Sequence, residues 1–206
     1  MPWIRSLLPA LVMTALLSGR AGADTAVSMR INEILADPPP GLAGDANGDG
    51  TRDSSDDEFV ELVNAGPEPV DIAGWAISDS SEVRHVFPDS LPIVVLPGGI
   101  VTVFGGGTPT GIGGLVFTAS TGRLSLNNDS DVVMLTNAGG AAVDRHAYGS
   151  EGGRDRSLVR APDGTGDWFL AGDQGTLTPF SPGHWNGGAT PVIPETWGAL
   201  KARSSR

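Results

Sequence analysis

The 206-residue chain contains no cysteine, so disulfides cannot brace it and burial of a core, aided by any metal, must hold it together. Basic residues are scarce as well. Thirteen Lys and Arg stand against twenty-four Asp and Glu, a formal charge of -11, which makes electrostatic attachment to nucleic acid or anionic lipid unfavourable. From Met29 onward no stretch sustains helical periodicity, and no heptads stand before it in this sequence, which argues against filament assembly through a coiled coil. His85, His146 and His184 lie far apart and show no zinc spacing. No Gly-x-Ser-x-Gly elbow supports a Ser-His-Asp assembly. The run Gly105-Gly106-Gly107 to Gly113-Gly114 lacks the Lys-Ser/Thr ending of a phosphate loop, and a flexible surface connection is expected there.

What is present begins with an export leader. Residues 1–23 carry one early base, Arg5, an apolar stretch from Leu7 to Leu17, and the small-residue site Ala21-Gly22-Ala23, the anatomy of a secretory signal peptide cut before Asp24. The apolar stretch is short for a bilayer span, and no second one comes after it. Loss of Arg5 and Arg20 with the leader would leave the mature chain at -13. The expectation is a secreted or cell-surface protein of one domain, residues 24–186. Residues 187–206 then form a Gly-containing linker and a basic tail with Trp197.

Short β-segments broken by Gly, Pro, Asn and Asp fill the middle of the chain, the pattern of an antiparallel sandwich or barrel. Strands are expected at residues 30–35, 58–64, 70–78, 84–87, 93–96, 100–104, 115–118, 124–126, 132–136 and 142–148. Ile100-Val101-Thr102-Val103-Phe104 and Val132-Val133-Met134-Leu135 are apolar at nearly every position, which suits central strands covered on both faces or mixed faces near a bend. Antiparallel hairpins are expected from the intervening turns.

The chemistry concentrates in residues 45–56. Asp45, Asn47, Asp49, Asp53 and Asp56 stand at positions 1, 3, 5, 9 and 12 of a twelve-residue loop, with Gly50 at position 6 for the sharp turn. Their side-chain oxygens and the Thr51 carbonyl are the donor set a hard cation such as Ca²⁺ requires. Asp57 and Glu58 come directly after, and Arg52 is the one base among these acids, so a metal-free loop repels itself. Position 12 is Asp rather than the bidentate Glu of an EF-hand, and the loop lies between a proline run and a strand, which excludes the two EF helices. The loop taken alone resembles that of dockerin modules. A solvated Asp/Gly turn is the alternative reading.

Other residues carry weaker signals. Trp75 is expected in the core; Trp168 and Trp185 are candidates for an exposed aromatic pair facing sugar or peptide, with packing of the last turns as the alternative. Glu33 and Glu61 lie inside apolar strands, where burial against a backbone donor or an Arg, or support of the metal loop, outweighs acid–base chemistry. Glu58 is a further candidate ligand. Asn127-Asn128-Asp129-Ser130-Asp131 reads as a hydrogen-bonded turn more readily than as a second cation site.

Ile31-Asn32-Glu33-Ile34-Leu35, Asp57 to Asn64 and Val70 to Asp79 with its Gly74-Trp75 pair together resemble the opening of a lamin-tail domain. Leu96-Pro97-Gly98-Gly99, Leu126 to Leu135, Val143-Asp144, Asp155-Arg156-Ser157-Leu158 and Thr178-Pro179-Phe180-Ser181-Pro182-Gly183 continue in the family's order, over roughly residues 29 to 186. The resemblance implies an all-β, immunoglobulin-like antiparallel β-sandwich and a non-catalytic binding, adhesion or structural module. Its partner would be an extracellular or cell-surface protein or glycan. A secreted metal-dependent hydrolase and a glycan-binding module are the competing expectations.

Overall fold

A computed structural model describes residues 29–173 and 178–186; the expected leader and the tail at 187–206 lie outside the described residues. Among the described residues twelve strands occur in the order β1 (Met29–Leu35), β2 (Phe59–Asn64), β3 (Val70–Asp71), β4 (Ala76–Ser78), β5 (Val83–Val86), β6 (Val94–Val95), β7 (Ile100–Phe104), β8 (Leu115–Thr118), β9 (Asp131–Thr136), β10 (Ala142–Tyr148), β11 (Leu158–Ala161) and β12 (Asp167–Leu170). They form a six-stranded sheet β12-β11-β1-β2-β7-β8, a four-stranded sheet β10-β9-β4-β5 and a two-stranded ribbon β3-β6. This is an immunoglobulin-like β-sandwich.

Alternation within the strands builds the core between the sheets. Val60 and Leu62 of β2, Val101 and Val103 of β7, and Val133 and Leu135 of β9 meet there with Ile31, Ile72, Ile77 and Trp75. Trp75 is 7 % exposed, the expected anchor. β2 and β7 are buried at every residue because their outer faces are covered too. There Phe59 and Phe104, rings 5.5 Å apart, form a second cluster with Leu35 and Ala46, packed against Ile112 and Phe180. β9 instead alternates between buried and half-buried residues, so its continuous apolar run has one core face.

Four differences from the sequence reading have physical causes. The expected strand at 70–78 is cut by a turn in which Trp75 N–H reaches the Ile72 carbonyl, and Gly74, at φ 72°, carries the chain from the ribbon to the four-stranded sheet. Residues 124–126 are not a strand: Leu124 and Leu126 are buried as alternation predicts, but Ser125 has φ 54° and Leu126 N–H is satisfied by the Glu58 carboxylate. β7 and β8 pair in parallel, joined by a crossover rather than a hairpin. β11 and β12, which no expected strand covered, complete the large sheet by pairing β11 against β1.

Candidate metal centre

The acidic loop closes on itself through Asx-type hydrogen bonds. Asp49 N–H is shared by Asp45 Oδ1 at 3.1 Å and Asn47 Oδ1 at 3.0 Å, so three of the six candidate residues are gathered around one amide. Gly50 N–H donates to the other Asp45 oxygen at 2.9 Å, which its φ of 91° permits. Thr51 N–H donates to Asp49 Oδ1, while Ser55 and Asp56 N–H both donate to Asp53 Oδ1. Those two amides hold the Asp53 carboxyl below its ordinary range. Partial burial, then the charges of Asp53 and Asp49, push Asp56 up. Asp49, Asp53 and Asp56 therefore share one electrostatic neighbourhood. Among the described residues, no three His, Cys, Asp or Glu side chains alone form a metal-holding group. The loop's arrangement depends equally on the Asn47 amide and on backbone groups.

The hydrogen bonds of Arg52 go to the prolyl carbonyls and not to these acids, although its charge adds to the lowering of Asp53. Its guanidinium donates to the carbonyls of Pro39 at 3.1 Å and Pro38 at 2.6 Å. The bracing residue is Asp57, fully buried, which accepts Asn47 N–H at 3.0 Å on one oxygen and Asp53 N–H at 2.7 Å on the other. It staples the two limbs of the loop together. Burial outweighs those amide donors and raises its carboxyl above the ordinary value.

The glycine run is the other wall of this site. Gly105 N–H donates to the Glu58 carbonyl, Gly106 N–H to that of Asp56, Thr108 N–H to Asp49 Oδ2 at 3.1 Å, and Thr110 N–H to the Asn47 carbonyl. A methyl group on Gly106 would stand 2.2 Å from Asp56 Oδ1, and one on Gly107 2.4 Å from Asn47 Nδ2. Register explains the meeting: β2 pairs Phe59 with Phe104, so the segment leading into Phe59 lies beside the segment leaving Phe104. The expected free surface loop is thus the lid of the acidic one.

The sequence pattern of the Lamin Tail Domain family matches residues 23–150, which include the acidic loop, its glycine lid and the strands that carry both. The chain belongs to the lamin tail domain family. No curated protein matches it. In this lamin tail domain, Glu58 is buried just behind the acidic loop, with its carboxylate on Leu126 N–H, and burial pushes it up to about 8. It faces the core and not the loop's oxygens. Asp131 accepts Ser80, Asn127 and Val132 N–H, so the 127–131 segment is the hydrogen-bonded turn expected.

The remaining candidates separate in space. Trp168 is half-buried, with His146 stacked on it at 3.8 Å and the Arg160 guanidinium 4.7 Å from its centroid, so the ring is already engaged within the domain. Trp185 is half-buried near the end of the described chain. A shallow groove of about 480 Å³ beside β5 and β8 holds one titratable side chain, His85. Its Nδ1 accepts Ser120 N–H, and burial pushes it down to about 4. Glu33 and Glu61 are cross-strand partners, both fully buried, as expected of side chains satisfied by backbone donors. Gly183 N–H reaches Glu61 Oε2 at 2.7 Å and Ser181 N–H reaches Glu33 Oε1 at 2.8 Å.

Proposed function

We propose that this lamin tail domain is an exported, non-catalytic module that acts in extracellular binding, adhesion or surface structure, stabilised by Ca²⁺ in the 45–56 loop. The observation that carries the reading is the loop's construction. Asp45, Asn47 and Asp49 gather around a single amide, Asp53 and Asp56 add two more carboxylates, and the one nearby guanidinium is spent on prolyl carbonyls. The donor chemistry fits a hard cation, since every candidate ligand offers oxygen and none nitrogen or sulfur. Ca²⁺ would be held by side-chain oxygens of Asp45, Asn47, Asp49, Asp53 and Asp56 with the Thr51 carbonyl, supplying the positive charge the loop lacks. Asp57 and the Gly105–Gly107 wall hold the frame.

The leader at residues 1–23 supports export, and millimolar calcium is an extracellular condition that weak sites exploit. The acidic balance favours neutral, cationic or metal-bridged partners. Calorimetric titration of chelator-treated protein with Ca²⁺ tests the metal: a saturable heat that Asp49→Ala removes supports it. A flat titration of the unmutated protein would refute it.

A further inference from the structure

Residues 178–186 run across the outer face of the six-stranded sheet and are fastened there by a buried polar cluster that plays no part in the acidic loop. Phe180 packs with Phe59 and Phe104, and Ser157 N–H donates to the Pro179 carbonyl at 2.8 Å. Around Glu33 the oxygen–oxygen contacts are short: Ser157 Oγ to Oε1 at 2.6 Å, Ser181 Oγ to Oε2 at 2.8 Å, and Ser181 Oγ to Asn186 Oδ1 at 2.7 Å. The Asn186 amide is oriented by its Nδ2, which donates to the Asn32 carbonyl, so Oδ1 is the end that faces Ser181.

Counting hydrogens decides the rest. The three short oxygen–oxygen contacts need three protons, and Ser157 and Ser181 bring two; the longer 3.3 Å approach of Ser157 Oγ to the Pro179 carbonyl can share the hydrogen that Ser157 gives Oε1. A carboxylate at Glu33 would leave Ser181 facing two acceptors with a single hydrogen. A carboxylic acid closes the chain: Oε2–H donates to Ser181 Oγ, Ser181 Oγ–H to Asn186 Oδ1, and Ser157 Oγ–H with Ser181 N–H to Oε1.

The surrounding charges agree. Glu61 faces Glu33 from β2, and Asp163 approaches from the turn after β11, joined to Glu61 through the Asn32 amide at 2.8 and 3.1 Å. From β7 comes only the uncharged Thr102. The Arg160 guanidinium of β11 is directed to the Ile31 and Gly166 carbonyls and to Asp144, and on the strap itself the His184 ring lies against the Pro182 carbonyl. Burial accordingly raises Glu33 to about 7, and burial with the Glu33 charge raises Glu61 well above its ordinary value.

We infer that Glu33 carries a buried proton on Oε2 that clasps residues 178–186 to the sheet, and that its loss as the solution turns alkaline lets this strap lift and bares the Phe59–Phe104 cluster. The domain is thereby a proton-responsive device whose sensor is remote from the acidic loop. It does not depend on calcium.

Hydrogen exchange of the Ser181 and Gly183 amides tests it. Protection, corrected for the intrinsic rate, is expected to fall about tenfold or more in the unmutated protein from pH 5.5 to pH 9. Glu33→Gln, whose amide donates at every pH, should hold protection constant. Ser181→Ala, which removes the acceptor of the proton, should show the alkaline level of Gly183 exchange already at pH 5.5. In the infrared, the unmutated protein at pH 5.5 should show one more protonated-carboxyl band than Glu33→Gln. Protection independent of pH in the unmutated protein, or unchanged by Ser181→Ala, would overturn the inference even if Glu33→Gln failed to fold.

Discussion

Gly107→Ala is the sharpest probe of how the glycine wall and the acidic loop depend on one another. Gly107 sits at φ 71°, and a Cβ there would lie 2.4 Å from Asn47 Nδ2 and 2.6 Å from Asp49 Oδ2. The left-handed backbone alone costs an alanine about 1–2 kcal/mol. Relief of the overlap requires Asn47 and Asp49 to turn, which breaks the bonds from Asp49 N–H to Asn47 Oδ1 and from Thr108 N–H to Asp49 Oδ2, roughly another 1 kcal/mol each. Gly122→Ala supplies the control, since Gly122 has φ 83° and nothing within 4 Å of its added methyl. The control should lose about 1–2 kcal/mol and Gly107→Ala about 3–4. At roughly 2–4 °C per kcal/mol, that separates their melting temperatures by several degrees. Differential scanning calorimetry with chelator and with Ca²⁺ measures both terms, and the rise on adding Ca²⁺ should survive in Gly122→Ala and shrink in Gly107→Ala. Equal melting temperatures and equal calcium responses would show that the two loops do not act as one unit.

Other parts of the molecule give further expected outcomes. Asp49→Ala should abolish most of the thermal rise on adding Ca²⁺, a rise of about 2.7 kcal/mol at a hundredfold excess over the dissociation constant, read by calorimetry. Asp79→Ala strands the buried Arg84, whose Nε donates to Asp79 at 2.7 Å, and should cost about 3–5 kcal/mol in a urea titration; loss of less than about 1 kcal/mol would contradict a desolvated pair. His85 is neutral in the folded state because burial lowers it from 6.5 to about 4, so its stabilising share is present above pH 6.5 and is lost as pH falls toward 4. That share is roughly 3 kcal/mol, and His85→Gln should flatten the acid limb of the urea midpoint. Glu33 has the opposite sign: raised from 4.5 to about 7, it contributes fully below 4.5 and loses that contribution as pH climbs through 7, and Glu33→Gln should flatten the alkaline limb.

The parts of the fold that were legible from sequence are those where a local pattern and the tertiary outcome coincide. Ile100 to Phe104 and Leu115 to Thr118 begin and end where their short apolar runs and the flanking turn residues place them. Leu158–Ala161 and Asp167–Leu170 escaped because Arg160 and Asp167 interrupt any apolar pattern; they are strands through pairing with β1 and each other. Ser125 shows the converse, a residue with strand-like neighbours beside an amide whose partner is a carboxylate far away in sequence. Within the acidic loop, the side-chain oxygens of Asp45, Asn47, Asp49 and Asp53 accept nearby backbone amides, the local turn chemistry that Asp and Asn in this spacing bring. The buried role of Asp57 and the approach of Gly105–Gly107 needed the register of Phe59 with Phe104, which two separate strands do not announce. Ser181 was legible only as part of the motif at residues 178–183; its pairing with Glu33, nearly the whole described chain away, was not, because no local pattern links the two.

The family pattern stops at residue 150, whereas the strand alongside β1 lies beyond it, at Leu158–Ala161. A recombinant fragment trimmed to the recognised boundary would turn an interior strand into a raw margin, with unmatched amides along one side and two wet glutamates beneath. Such fragments are candidates for sticking edge to edge, and an adhesive behaviour measured on them would report the scissors rather than the molecule.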